Sequence, residues 1–140
     1  MWSLLRNWIG CVASRRSLGQ RGERVAEKHL RRKGYQIVAR GARDRIGEID
    51  LVAIDRHTVV FVEVKARCGH GAGHPSEAVD DEKQRRLTKL ALGYLKRHQL
   101  LENTARFDVV AVTWGNDQRF PDIEHYVNAF PAVGRGQMFS

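Results

Sequence analysis

A chain of 140 residues with 24 Lys and Arg against 16 Asp and Glu, a formal charge of +8, is one domain with enough length to bury a core. So basic a balance favours a polyanionic partner, nucleic acid ahead of a membrane, though charge by itself says nothing about fold. Two cysteines, Cys11 and Cys68, make neither a disulfide framework nor a zinc site; each reads as an ordinary thiol, and a reducing, cytoplasmic setting fits.

Residues 1–18 stand apart from a single domain over 19–140. Trp2, Leu5, Trp8, Ile9 and Val12 recur at helical spacing while Arg6, Arg15 and Arg16 supply charge, so this extension is a short amphipathic helix or a poorly ordered tail. It lacks an unbroken apolar stretch and the length to cross a bilayer, so neither a signal peptide nor a stable membrane association is expected.

From Arg21 to Lys33 the spacing is helical, and Gly34 ends the helix as a C-cap glycine. Val25, Ala26, His29 and Leu30 share one side. Glu23 lies at the edge of that side, where it either reaches a site at the rim of a sheet or complements the helix N-terminus. A strand over Tyr35–Arg43 follows.

The segment from Gly47 to Lys65 then puts charges where apolar residues belong. Two runs rich in Ile, Val, Leu and Phe flank Asp55-Arg56-His57-Thr58, the pattern of a hairpin. Val60, Val62 and Val64 on one face, with Val59 and Phe61 on the other, imply burial on both sides, and charges on such a strand usually have a task. A two-residue loop at Arg56-His57 sets Asp50 opposite Glu63 and Glu48 opposite Lys65, with directly paired Cβ atoms about 4.5–5.5 Å apart. Opposed carboxylates destabilise a sheet unless a cation lies between them. Oxygen ligands suit Mg²⁺, with Mn²⁺ as a substitute, better than zinc. The alternative is a surface hairpin with solvated ion pairs.

Cys68 to Pro75 holds three glycines and reads as a loop beside the site; His70 and His74 sit in it, better placed to contact a substrate phosphate than to ligate metal. Ser76 can cap a long helix that opens with Glu77, Asp80, Asp81 and Glu82 and carries Leu87, Leu90, Ala91, Tyr94 and Leu95 on its buried stripe. Lys83 falls on that stripe's line and either passes the rim of the core or points at an anion. With Arg85, Arg86 and Lys89 it makes either a phosphate-binding surface or a solvated basic face. Strands over Arg106–Trp114 and Asp122–Phe130 complete the chain, with Asp108 read as a strand-end residue. Helix, three strands, helix and two strands give an α/β sandwich around a mixed sheet.

Gly47-Glu48-Ile49-Asp50-Leu51-Val52 followed by Phe61-Val62-Glu63-Val64-Lys65 resembles the YraN-type family of uncharacterised bacterial proteins, within the restriction-endonuclease-like PD-(D/E)xK nucleases and similar to archaeal Holliday-junction resolvases. The likeness extends over Gly22-Glu23, Glu77-Ala78-Val79 with Lys83, and Arg106-Phe107-Asp108-Val109-Val110. Ile49 stands where the superfamily's proline is often written. The resemblance implies a restriction-endonuclease-like α/β/α sandwich and a Mg²⁺ site in which Asp50 and Glu63 bind the ion, joined by the Val64 carbonyl. It further implies that Lys65 orients or activates the attacking water and that Glu23 completes the shell. The expected activity is hydrolysis of DNA phosphodiesters, with branched or junction DNA as a preferred form. A resolvase cuts two strands, which favours a homodimer. A non-catalytic nucleic-acid-binding module of the same fold is the alternative.

Overall fold

The computed structural model describes residues 15–69, 79–115 and 119–133. Helix α1 (Arg15–Arg32) leads into strands β1 (Gln36–Asp44), β2 (Gly47–Asp55) and β3 (Thr58–Cys68). Helix α2 (Asp81–Arg97) then precedes strands β4 (Ala105–Trp114) and β5 (Asp122–Phe130). The expected element order holds. Residues 1–14, with most of the N-terminal extension, and the loop holding His70 and His74 lie outside the described residues. Helix α1 begins at Arg15 and so runs across the expected boundary at Leu18.

The five strands form one sheet in the order β1-β2-β3-β4-β5, antiparallel throughout except for the parallel β3–β4 pair that α2 connects. Each face of this sheet is covered, which explains the near-continuous apolar runs. Ala26 and Leu30 of α1 pack with Leu51, Ala53, Val60, Val62, Val110 and Val112 on one side. On the other, Leu87, Leu90, Ala91, Tyr94 and Leu95 of α2 pack with Val52, Val59, Phe61, Phe107 and Val109. The result is a restriction-endonuclease-like α/β/α sandwich.

Local chemistry sets the helix ends. Gly34 takes φ +95°, the Tyr35 amide donates to the Leu30 carbonyl at 3.0 Å, and the Gly34 amide to Arg31 at 3.0 Å, so the left-handed residue closes α1 with its last carbonyls satisfied. Helix α2 starts later than its acidic run suggests. Its cap is Asp80, whose Oδ1 accepts from the Lys83 amide at 2.8 Å, and not Ser76, which lies outside the described residues. At Gly22, a Cβ would sit 2.5 Å from that of Ala66 and 3.7 Å from Val64 Cγ1. The missing side chain thus lets α1 lie close on β3 and brings Glu23 over the end of the sheet.

Cys68, at the exposed end of β3, is disulfide-bonded and not the ordinary thiol expected.

Candidate metal centre

The β2–β3 hairpin takes the expected register, with Asp55 paired to Thr58, Ile54 to Val59, Ala53 to Val60, Val52 to Phe61 and Leu51 to Val62. Arg56 closes the two-residue loop by adopting φ +59°, the conformation that an Asn or Gly would supply at less cost. One step beyond Leu51–Val62 the regular ladder stops, where its continuation would set Asp50 against Glu63. There the Val64 amide donates to Asp50 Oδ2 at 2.8 Å. A side chain has replaced the main-chain partner, and the two strands part around their acidic residues.

A cavity of about 430 Å³ opens at this point, lined by Leu18, Gly19, Glu23, Asp50, Glu63, Val64, Lys65 and Ala66. Every residue expected in the catalytic and metal set, Glu23, Asp50, Glu63, Val64 and Lys65, therefore borders one space. Glu63 is 8% exposed, which excludes the solvated surface hairpin. Val64, expected through its carbonyl, is tied to Asp50 through its amide.

Glu48 also joins this group. Glu23, Glu48 and Asp50 each bring a carboxylate oxygen within 4.8 Å of the others. Strand opposition set Glu48 against Lys65, but its ion pair among the described residues is with Arg43, directly across on β1, at 2.6 Å. Gly41 makes room, since a Cβ there would lie 3.2 Å from Glu48 Oε1. The signal for Glu48 was its place two residues before Asp50, on one side of the strand.

Lysines supply the opposite charge. Glu63 Oε1 accepts from Lys83 Nζ at 2.5 Å and lies 3.4 Å from Lys65 Nζ. Of the two readings open for Lys83, pointing at an anion is the one realised. It reaches a carboxylate of the site rather than standing out to hold flanking phosphates. Arg85, Arg86 and Lys89 are exposed on α2, and the Arg86 stem lies beside Gly47 at the start of β2.

Charge states follow from this crowding. Burial, then the Glu63 carboxylate, pushes Asp50 up to about 7. Burial, then Glu48 and Glu63, raises Glu23. Lys65 is lowered by burial and by the neighbouring Lys83. Burial pulls Lys83 down as well, but its bond to Glu63 prevails and the ammonium is held above its ordinary range. Three carboxylates within reach of one ion, one of them forced towards its neutral form, fit a hard divalent cation by donor type and by electrostatic need.

A second acid was missed. Asp108, read as a strand-end residue, is 0% exposed and accepts from Arg106 Nε at 3.0 Å, His125 Nε2 at 2.8 Å and the Asn128 amide at 2.9 Å. Lys33 Nζ lies 3.1 Å from His125 Nδ1. Lysine can only donate, so Nδ1 accepts and Nε2 carries the proton given to Asp108.

Comparison with known proteins bears on the family alone. The profile of "Uncharacterised protein family UPF0102" matches residues 22–112. A UPF0102 protein of Rhodopirellula baltica is 47% identical over 138 residues, covering 93% of this chain and 83% of its own. One of Geobacter sulfurreducens is 49% identical over 113 residues, covering 81% of this chain and 88% of its own. A third, of Geotalea uraniireducens, is 44% identical over 118 residues, with 84% and 92% covered.

Proposed function

The chain belongs to the uncharacterised protein family UPF0102, whose relatives' names carry no activity, so we propose from the site itself that it is a metal-dependent nuclease hydrolysing DNA phosphodiester bonds. The observation that carries this reading is the convergence of Glu23, Glu48 and Asp50 within 4.8 Å, beside Glu63 and two lysines, where β2 and β3 part. A binding module has no use for carboxylates gathered so closely at the end of its sheet.

Asp50, Glu23 and Glu48 would hold Mg²⁺ or Mn²⁺, with Glu63 adjoining. Bound there, the ion supplies Lewis acidity towards a phosphoryl oxygen and a lowered pKa for its water. The Val64 amide fixes the Asp50 carboxylate, so its free oxygen has one orientation. Lys65 faces the same cavity and stabilises negative charge developing on the phosphate. Lys83 fastens the Glu63 carboxylate at 2.5 Å, a closer hold than the 3.4 Å of Lys65, which leaves Lys65 the looser of the two lysines beside the cavity. The net charge of +8 draws the polyanion to the site. No helix among the described residues is long and apolar enough to cross a membrane.

The test is cleavage of linear, nicked, flap and four-way DNA by the full chain with Mg²⁺, Mn²⁺ or chelator. Cleavage should require the metal, and Asp50→Asn or Lys65→Ala should lower its rate by on the order of 10²–10³ while binding persists. Binding that responds to salt without metal-dependent cleavage of any form would replace the enzyme by the nucleic-acid-binding module. Equal turnover by parent and variants would remove this mechanism.

A further inference from the structure

A second cavity adjoins the first. About 400 Å³ in volume, it is lined by Gln20, Glu23, Arg24, Glu27, Lys28 and Arg40 and floored by Leu51. Glu23 lines both spaces, so the groove between α1 and β1 borders the carboxylate cluster at that residue. Its walls are basic. Glu27 is bonded by Arg40, Nη2 to Oε2 at 2.9 Å, and by Arg31 at 3.1 Å, which consumes the one acid that does not belong to the cluster. Arg24 and Lys28 are exposed and form no ion pair among the described residues. They stand four residues apart on one face of α1, separated by about 6 Å along its axis. Neighbouring phosphates of one strand have a comparable separation.

We infer that this groove is a track for a single DNA strand, which receives the sugar-phosphate chain on one side of the bond to be cut and sets consecutive phosphates on Arg24 and Lys28. A cavity of this volume admits one backbone and no duplex, whereas a charged groove that follows the backbone is the common device for holding an unpaired strand. The favoured substrate is accordingly DNA whose strand is unpaired beside the cut, such as a flap or a splayed arm. Arg85, Arg86 and Lys89 on the opposite layer carry similar charge but line neither of these two cavities. The inference takes its direction from the nuclease reading, but its binding test needs no turnover.

Fluorescence anisotropy of the full chain in chelator, with a labelled single strand and a hairpin duplex across a range of NaCl, provides that test. Arg24→Gln with Lys28→Gln should weaken single-strand binding about tenfold and reduce the slope of log affinity against log salt by about 1.4, two contacts at roughly 0.7 each. Duplex binding should change less than twofold. Arg85→Gln with Lys89→Gln removes the same charge from α2 and should leave single-strand binding within twofold. Equal weakening of both DNA forms, equal effects of the two double variants, or unchanged strand binding would each overturn the track. A parent protein that cuts nothing yet shows this selective loss would sink the nuclease reading and leave the track standing.

Discussion

Asp50 on β2 and Asp108 on β4 flank the same strand, and the fold treats them in opposite ways. Asp108 is sealed from water, yet the His125 ring, the Arg106 guanidinium and the Asn128 amide outweigh its burial and hold its pKa below the ordinary carboxylate range. Asp50 receives one main-chain amide, which does not offset its burial and the carboxylates it faces, and it is driven up to about 7. The fold has thus neutralised one acid internally and left another in want of a positive charge. An unsatisfied group of this kind, at the mouth of a cavity, marks where a ligand is expected. The satisfied one marks a strut.

The sharpest way to break this contrast is to delete each carboxylate in turn. Asp108→Ala leaves Arg106 half-buried without its main partner and strands the His125 N–H, and should cost about 3–5 kcal/mol in urea unfolding. Asp50→Ala, measured in chelator at pH 7, should cost less than about 1 kcal/mol, because it also removes a repulsion. Equal losses from the two substitutions would show that Asp50 is as well served as Asp108.

Proton linkage gives the next largest effect. The folded-state pKa of Asp50, about 7, lies above its ordinary value of 3.8, so between those limits the native state binds the extra proton. Stability should therefore fall as pH rises from about 4 to 7, by roughly 2–3 kcal/mol once solvent is allowed for, and remain low above that window. Asp108 works in the other direction, since its depressed pKa contributes stability that is present above about 4 and lost as pH falls through the folded value. In chelator, Asp50→Asn should flatten the loss in melting temperature between pH 5 and 8. Mg²⁺ at pH 8 should raise the melting temperature of the parent and not of the variant. An unaltered slope in Asp50→Asn would assign the titration to another group.

Much of the Asp50 side was legible in the sequence because strand alternation and a two-residue loop fix which residues meet, and those rules turned two apolar runs into a register. Charges inside such runs announced themselves. Lys83 was placed on the buried line of α2 by the same periodicity, though which anion it sought depended on the packing of α2 against β3. Glu48 was seen on the right side of its strand, but Arg43 and the approach of α1 decided its company. Asp108 was opaque for a different reason. Its partners come from positions 106, 125 and 128 and, through Arg106 and His125, from Tyr35, Asp55 and Lys33, contacts that depend on β5 pairing with β4 and on where α1 ends. No local pattern encodes that set. The groove along α1 was equally hidden, since its basic residues read as an ordinary solvated helix face until β1 closed the other wall.

The smallest effect concerns how Asp108's support is shared. Arg106 Nη2 donates to Tyr35 Oη at 2.8 Å and to Asp55 at 3.0 Å, and its Cζ lies 5.7 Å from the Tyr35 ring centre. Tyr35 also meets the His125 ring edge-on, with centroids 5.6 Å apart. Tyr35→Phe keeps both ring contacts and removes only the hydroxyl, so it should cost about 1 kcal/mol, the net worth of one such hydrogen bond, because Asp55 and Asp108 still hold the guanidinium. A double-mutant cycle with Asp55→Asn separates the shares. Coupling above about 1 kcal/mol would mean that the two act as one network around Arg106, and Asp108 would then owe its low pKa to an assembly reaching back to the end of α1 rather than to its immediate neighbours. Additive losses would confine the strut to Arg106, His125 and the Asn128 amide, leaving Tyr35 as packing.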